Sequence, residues 1–157
     1  MINSCRKADF RIDSEGTWYY GEMEMTRRDI VALFYRHLLR DTSGQYFLEI
    51  GSQRCQVDVE DTAYVVWAVI RAGNGESGSR IYLFLSDDTI EELDPATLRI
   101  GKSNVPYCRV KDGGFAARFS TSSYYQLAEH ISHDSACDKY YISIGGQFHY
   151  IPELQKD

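Results

Sequence analysis

The sequence predicts the same series of secondary-structure elements twice, and this internal repeat constrains the fold more than any other feature. Residues 10–20 and 108–118 each read as strand, tight turn and strand. The two segments share an arginine, an apolar residue and a turn glycine at equal spacing: Arg11, Ile12 and Gly16 in the first, and Arg109, Val110 and Gly114 in the second. Residues 46–57 and 140–151 give a second matching pair of hairpins.

A helix is predicted between the two hairpins of each copy. In the first copy, apolar side chains recur at helical spacing over residues 31–38, and Thr26 is placed to cap the helix N-terminus. In the second copy the corresponding stripe covers residues 124–131, and Ser120 is the expected cap. The order hairpin, helix, hairpin is therefore expected twice.

This order predicts an α+β fold with two copies of a hairpin–helix–hairpin motif, over residues 10–57 and 108–151, and with antiparallel sheets. Between the copies, three strand-like runs separated by turn residues predict an antiparallel β meander. We expect an N-terminal repeat subdomain over residues 1–59. A C-terminal subdomain, consisting of the meander and the second copy, is expected over residues 60–157 and packed with the first as one compact unit.

Charge and hydropathy narrow the possible partners. The 17 Lys and Arg residues against 23 Asp and Glu residues give a net charge of −6, which disfavours duplex nucleic acid and an anionic membrane surface. The longest apolar run covers residues 63–70, far fewer than a membrane helix needs, and the first residues contain no apolar signal core. We therefore predict a cytoplasmic protein with no membrane partner and no duplex nucleic-acid partner.

Cysteine and histidine form no recognisable metal or cofactor signature. The four cysteines are scattered without a CxxC pair, so neither a zinc ribbon nor a thioredoxin-type site is expected. The nearest approach to a ligand cluster is His130, His133 and Cys137, which is not a full ligand set. No phosphate-binding loop or nucleophile-elbow motif is present. We predict no bound metal, no cofactor and four reduced cysteines.

The basic and aromatic residues form the candidate site. Arginine binds carboxylate or phosphate through parallel N–H groups and also stacks on aromatic rings. If a pseudo-two-fold axis relates the copies, Arg11 and Arg109 are symmetry mates that can converge on a cleft between them. The predicted ligand-binding residues are Arg11, Trp18, Tyr107, Arg109 and Arg118, and the expected ligand is a small anion. The alternative is that these arginines cover aromatic surface or pair with carboxylates.

Short motifs follow one another in a fixed order along most of the chain. The first part contains G-x-W at 16–18, L-x-R-D at 38–41 and V-x-V-E-D at 57–61, and the later part contains P-Y-x-R-V at 106–110 and F-x-A-R at 115–118. In this order they resemble the bacterial family called domain of unknown function 1285, over about residues 9–151. The resemblance implies a duplicated core, a C-terminal half superficially like a pleckstrin-homology fold, a nucleotide-like ligand between the halves and a signalling role.

The candidate site and the resemblance together predict a non-enzymatic module that binds a small anionic ligand and reports it to a protein partner. Two other classes stay open. An enzyme would use an unrecognised site containing His37, His130 or Cys108. A pure interaction module would use an aromatic surface around Trp18 and Tyr19.

Overall fold

The computed structural model describes residues 9–73 and 79–152, which form two compact units. The first unit is Met1–Ala63 and the second is Tyr64–Asp157. Strands dominate both units, and each contains one α-helix. The predicted α+β class is therefore confirmed. Within the described residues, neither helix has the length and hydropathy needed to cross a membrane.

The first unit is a single six-stranded sheet, sheet A, with one helix. Its elements are β1 (Phe10–Ile12), β2 (Trp18–Tyr20), β3 (Met23–Glu24), α1 (Arg28–Arg36), β4 (Leu38–Arg40), β5 (Tyr46–Ile50) and β6 (Gln53–Val59). The strand order is β3-β2-β1-β6-β5-β4. Two antiparallel meanders, β1–β3 and β4–β6, are joined by a central parallel pair, β1 and β6.

The second unit contains a six-stranded sheet, sheet B, and a three-stranded antiparallel sheet, sheet C. Its elements are β7 (Tyr64–Ala72), β8 (Arg80–Leu85), β9 (Ile90–Glu92), β10 (Arg99–Ile100), β11 (Pro106–Val110), β12 (Phe115–Phe119), α2 (Thr121–Ala128), β13 (Ile131–Asp134), β14 (Lys139–Ile144) and β15 (Gln147–Tyr150). Sheet B has the order β10-β11-β12-β7-β8-β9, and sheet C has the order β13-β14-β15. Short 3₁₀ turns at Pro95–Thr97 and Lys102–Asn104 flank β10.

Sheets A and B have the same topology, which is consistent with duplication, but the matching segments are residues 10–59 and 64–119 and not the predicted copies, residues 10–57 and 108–151. In each sheet, two antiparallel meanders are joined by a parallel pairing of the first and last strands, β1 with β6 and β7 with β12. The prediction of purely antiparallel sheets is therefore wrong at these two central pairs. Turn residues predict the antiparallel neighbours because those are consecutive along the chain, whereas a parallel pair joins distant strands without any local signal.

The predicted order of hairpin, helix and hairpin is also present, although the two copies pair differently. The last hairpin of the first copy, β5–β6, completes sheet A by pairing with β1. In the sequence alignment β11 corresponds to β1, but both edges of β11 are already paired, with β10 and β12. The hairpin β14–β15 therefore joins β13 in the separate sheet C.

The two helix N-termini differ in how they are capped. Ser120 caps α2 as predicted, because its side chain accepts a hydrogen bond from the backbone N–H of Ser123 at 3.2 Å. The predicted Thr26 cap is wrong, because α1 begins after Arg27 and has no side-chain cap. Asp29 is the acidic residue in the first turn of α1, and its carboxylate pairs with the Arg27 guanidinium at 2.7 Å. That ion pair lowers the pKa of Asp29.

We expect Ser120→Ala to lower the free energy of unfolding by about 1 kcal/mol, because one N–H of the first turn of α2 loses its acceptor. Urea unfolding followed by circular dichroism measures this change. Thr26→Ala is the matched control and should change stability by less than about 0.5 kcal/mol, since Thr26 makes no cap bond. Equal losses in the two variants would contradict the difference between the caps.

Candidate functional site

One face of sheet B brings together three of the five predicted site residues. In β11, Tyr107 and Arg109 alternate with three buried residues and so share the other face of the strand. Tyr107 lies directly opposite Arg118 of β12. It also lies opposite Arg99 of β10, a residue that sequence reasoning missed. We call Arg99, Tyr107, Arg109 and Arg118 the arginine face.

The register places these side chains within reach of one another. Directly opposed residues on neighbouring strands have Cβ atoms about 4.5–5.5 Å apart, so the side chain of Tyr107 starts between those of Arg99 and Arg118. Arg109 follows two residues along β11, on the same side of the sheet. All four side chains are half-buried. The face therefore combines three positive charges and one aromatic ring on a rigid element.

Two of the guanidinium groups are held in place by backbone carbonyls. Arg99 donates from Nη1 to the carbonyl oxygens of Ala96 at 2.9 Å and Leu98 at 2.8 Å. Arg109 donates from Nε and Nη2 to the carbonyl oxygen of Gly113 at 3.1 and 2.9 Å. Within the described ranges, neither arginine has a carboxylate partner. The alternative, in which Arg109 pairs with a surface carboxylate, is therefore not observed among the described residues.

These bonds leave donor capacity for a ligand. A guanidinium has five N–H donors, and each of these two arginines donates two of them to described residues, so within the described ranges three remain on Arg99 and three on Arg109. The Nε and Nη2 donors of Arg99 lie along one edge of its guanidinium, which suits a phosphate or carboxylate bound through two oxygens. The face is therefore chemically equipped to bind an anion.

The other two predicted residues belong to the first unit. Arg11 is exposed on β1, and its guanidinium carbon lies 4.2 Å from the centre of the Tyr19 ring. Trp18 is only 1% exposed and packs edge-on against Tyr35, with ring centres 5.2 Å apart. Trp18 is therefore a core residue rather than an exposed stacking surface. The cleft between the two copies stays a prediction.

An ion network beside the arginine face anchors the β11–β12 turn. Lys111 extends its ammonium group to the carboxylate of Asp87 at 2.7 Å and donates to the Thr89 hydroxyl at 2.8 Å. The backbone N–H of Lys111 donates to Glu91 at 3.0 Å. Only 8% of the Asp87 side chain is exposed, so its carboxylate is buried within this network. The network ties the turn that follows Arg109 to the β8–β9 hairpin.

The cysteines and histidines do not form an activated pair in the described part of the chain. Burial raises the pKa of the Cys108 thiol to about 12, and the charges of Glu91 and Asp94 add to this effect. Desolvation and the hydrogen bond to Asp134 raise the pKa of Cys137. Both groups therefore remain neutral thiols near pH 7, which disfavours a nucleophilic role.

The surroundings of His37 and His130 indicate structural rather than catalytic positions. His37 follows α1 as its C-cap residue, and its backbone N–H donates to the carbonyl of Phe34. Burial and the nearby Arg71 lower the pKa of His130. Over residues 9–73 and 79–152, no three His, Cys, Asp or Glu side chains are grouped so that they could hold a metal ion.

The prediction of four reduced cysteines is wrong at Cys55, which is disulfide-bonded. Cys108 and Cys137 are free, and Cys5 lies outside the described residues. The scattered spacing carried no signal for a disulfide, because distant cysteines can be bridged only where the fold brings their Cα atoms within about 7 Å.

Comparison with known proteins bears on the family and the fold. Residues 3–62 match a family model described as domain of unknown function (DUF1285), N-terminal domain. A search of curated proteins found no match. A DUF1285 family protein from Silicibacter pomeroyi has a similar fold, with a TM-score of 0.76 at 20% identity, covering 96% of this chain and 82% of that chain.

A second solved structure, a DUF1285 family protein from Shewanella baltica, is also similar. Its TM-score is 0.63 at 20% identity, and the alignment covers 78% of this chain and 91% of that chain. The matched family model ends at residue 62, next to the boundary between the two units. These comparisons confirm the resemblance to the DUF1285 family: residues 3–62 match the model of its N-terminal domain, and two solved structures of the family share the fold of this chain.

Proposed function

We propose that this chain is a non-enzymatic module that binds a small anionic, nucleotide-like ligand at the arginine face of sheet B. The observation that supports the proposal most strongly is the line of Arg99, Tyr107 and Arg118 across three neighbouring strands, with Arg109 on the same face. As the family resemblance implies, a protein partner in the cytoplasm would respond to the bound state.

The chemistry of the face suits a ligand that carries both a charged group and a ring. The N–H donors of Arg99 and Arg109 that no described residue engages can bind two oxygens of a phosphate or carboxylate. The Tyr107 ring adds an aromatic group beside these donors, which a base or another ring of the ligand can contact. Because the backbone carbonyls already fix both guanidinium groups, binding costs less side-chain entropy than it would for free arginines.

The described thiols favour a binding role over a catalytic one. Cys108, one of the residues proposed for an enzyme, is 2% exposed and has a pKa of about 12. A buried neutral thiol neither meets a substrate nor attacks it. The buried Trp18 likewise weakens the interaction-module alternative, which needed an open aromatic surface at that residue.

We expect Arg109→Ala to weaken anion binding by roughly 10- to 150-fold. A hydrogen bond to a charged group contributes about 1.5–3 kcal/mol, and 1.4 kcal/mol corresponds to a factor of ten in affinity. A thermal-shift screen of nucleoside phosphates and small carboxylic acids selects a ligand, and isothermal titration calorimetry of wild type and variant gives the two affinities. Arg109→Lys should recover only part of the loss, because lysine keeps the charge but not the paired N–H groups.

Arg80→Ala is the matched control. It lies on β8 of the same sheet and removes the same charge, but its guanidinium pairs with Glu92 on the exposed surface at 3.3 Å. We expect its affinity to stay within about twofold of wild type. If no compound shifts the wild-type melting temperature, or if Arg80→Ala and Arg109→Ala lose equal affinity, the arginine face is not the binding site.

A further inference from the structure

A separate cavity of about 1000 Å³ lies within the second unit, where sheet C, α2 and the β10 edge of sheet B meet. No residue of the arginine face lines it. Two tyrosines, Tyr124 and Tyr140, and several aliphatic residues line it, among them Ile100, Ile131 and Ile151. Its size is at the upper end of the range of about 300–1000 Å³ that is typical of small-molecule pockets.

Backbone hydrogen bonds fix the walls of this cavity. The backbone N–H of Ile151 donates to the carbonyl of Tyr140 at 2.9 Å, and that of Ile100 donates to the carbonyl of Pro152 at 3.1 Å. Residues 151–152 therefore join sheet C to the edge of sheet B. On the opposite wall, the Ser123 hydroxyl donates to the carbonyl of Val66 in β7 at 2.8 Å and holds α2 on sheet B.

The Tyr140 ring is exposed yet held in place. Tyr140 is 54% exposed, and its ring centre lies 4.9 Å from that of His133. The Nε2 atom of His133 lies 2.8 Å from a carboxylate oxygen of Asp138. Rings fixed before binding lose little conformational entropy when a ligand stacks on them.

The charged residues that line this cavity favour neither a cation nor an anion. Among the described residues that line it, Asp138 and Lys139 are the two charged ones, and their charges are opposite. Asp138 is also engaged by His133. A lining that combines flat rings, aliphatic side chains and balanced charge suits a ligand with a flat apolar face and no net charge.

We propose that this cavity binds an uncharged planar ring compound, stacked against Tyr140. The inference does not depend on the anion site, because the two sites share no residue. It extends the proposed function by giving the second unit a second ligand class, which is recognised by ring stacking instead of charge.

The test uses 5-fluoroindole as an uncharged planar probe and ¹⁹F NMR to measure its binding to the full chain. We expect saturable binding to wild type at millimolar concentration. Tyr140→Ala should raise the dissociation constant by about 2- to 12-fold, which is the fold-change equivalent of the 0.5–1.5 kcal/mol typical of an aromatic pair. Tyr140→Phe, which keeps the ring, should bind as wild type does.

Two controls make the outcome decisive. Tyr125→Ala removes a neighbouring tyrosine of α2 that is 66% exposed but does not line the cavity, and it should leave binding unchanged. Arg109→Ala should also leave it unchanged, which separates this proposal from the anion site. The proposal is overturned if wild type does not bind the probe, if Tyr125→Ala weakens binding as much as Tyr140→Ala, or if 5-fluoroindole-2-carboxylate binds more tightly than the uncharged probe.

Discussion

Replacing Trp18 by alanine should lower the free energy of unfolding by about 3–5 kcal/mol, the range typical for loss of a large aromatic from a core. Trp18 is 1% exposed and packs against the rings of Phe34 and Tyr35, with ring centres 5.7 and 5.2 Å away. The substitution leaves a cavity where β2 meets α1. Urea unfolding followed by circular dichroism measures the loss.

Trp18→Phe separates the two properties of this side chain. The indole Nε1 of Trp18 is buried and has no hydrogen-bond partner in the described part of the chain. An unsatisfied buried donor costs about 1–3 kcal/mol, so phenylalanine removes that penalty while losing part of the packing. We expect a net loss of less than about 1.5 kcal/mol. A loss below 1 kcal/mol for Trp18→Ala would contradict the core position of this residue.

Lys111→Met should lower the free energy of unfolding by about 2–4 kcal/mol, because it leaves the buried carboxylate of Asp87 without its cation. The loss stays below the upper limit for a broken buried ion pair, since Thr89 still donates to Asp87 from its backbone N–H at 3.1 Å. Chemical unfolding in urea, followed by intrinsic fluorescence, checks this value.

Arg80→Met is the control for Lys111→Met. It breaks an ion pair with Glu92 in which both side chains are about half exposed or more, and such pairs contribute less than about 1 kcal/mol. If Lys111→Met costs no more than Arg80→Met, then burial of Asp87 does not make its ion pair important for stability.

The local elements could be predicted from the sequence because their signals are local. Gly16 and Gly51 mark hairpin turns and have φ of +88° and +60°, values that favour glycine. Ser120 marks the start of α2. The helical stripe of the first copy gave α1, in which Val31 and Tyr35 are buried. Thr26 failed as a cap because α1 begins one residue later than the pattern suggests.

The assembly of these elements could not be predicted in the same way. Nothing in the sequences of β1 and β6 specifies that they pair in parallel. The hairpin β14–β15 cannot pair with β11 because β10, a strand of only two residues, already occupies that edge. The burial of Trp18 was hidden because tryptophan occurs both in cores and on binding surfaces. Tertiary packing decided each of these points.

Three of the four residues of the arginine face were predicted, but the structure brings them together for a reason that the prediction did not use. Tyr107, Arg109 and Arg118 were grouped through a presumed axis between the copies. They meet instead because a tight turn over residues 111–114 fixes the register of one hairpin, so that Tyr107 faces Arg118. Arg99 could not be found, because 3₁₀ turns on both sides of β10 hide its strand pattern.

The most direct test of the anion site observes the arginine side chains themselves. In a ¹⁵N NMR titration with inorganic pyrophosphate, the Nε–H signal of Arg99 should shift and saturate, because this group donates to the anion directly. The Nε–H signal of Arg109, which donates to Gly113, should shift less but along the same saturation curve, because the anion binds the remaining Nη donors of that guanidinium. The Nε–H signal of Arg80, which pairs with Glu92, should not shift. If neither arginine of the face responds, or if Arg80 shifts to the same extent, the arginine face does not bind anions.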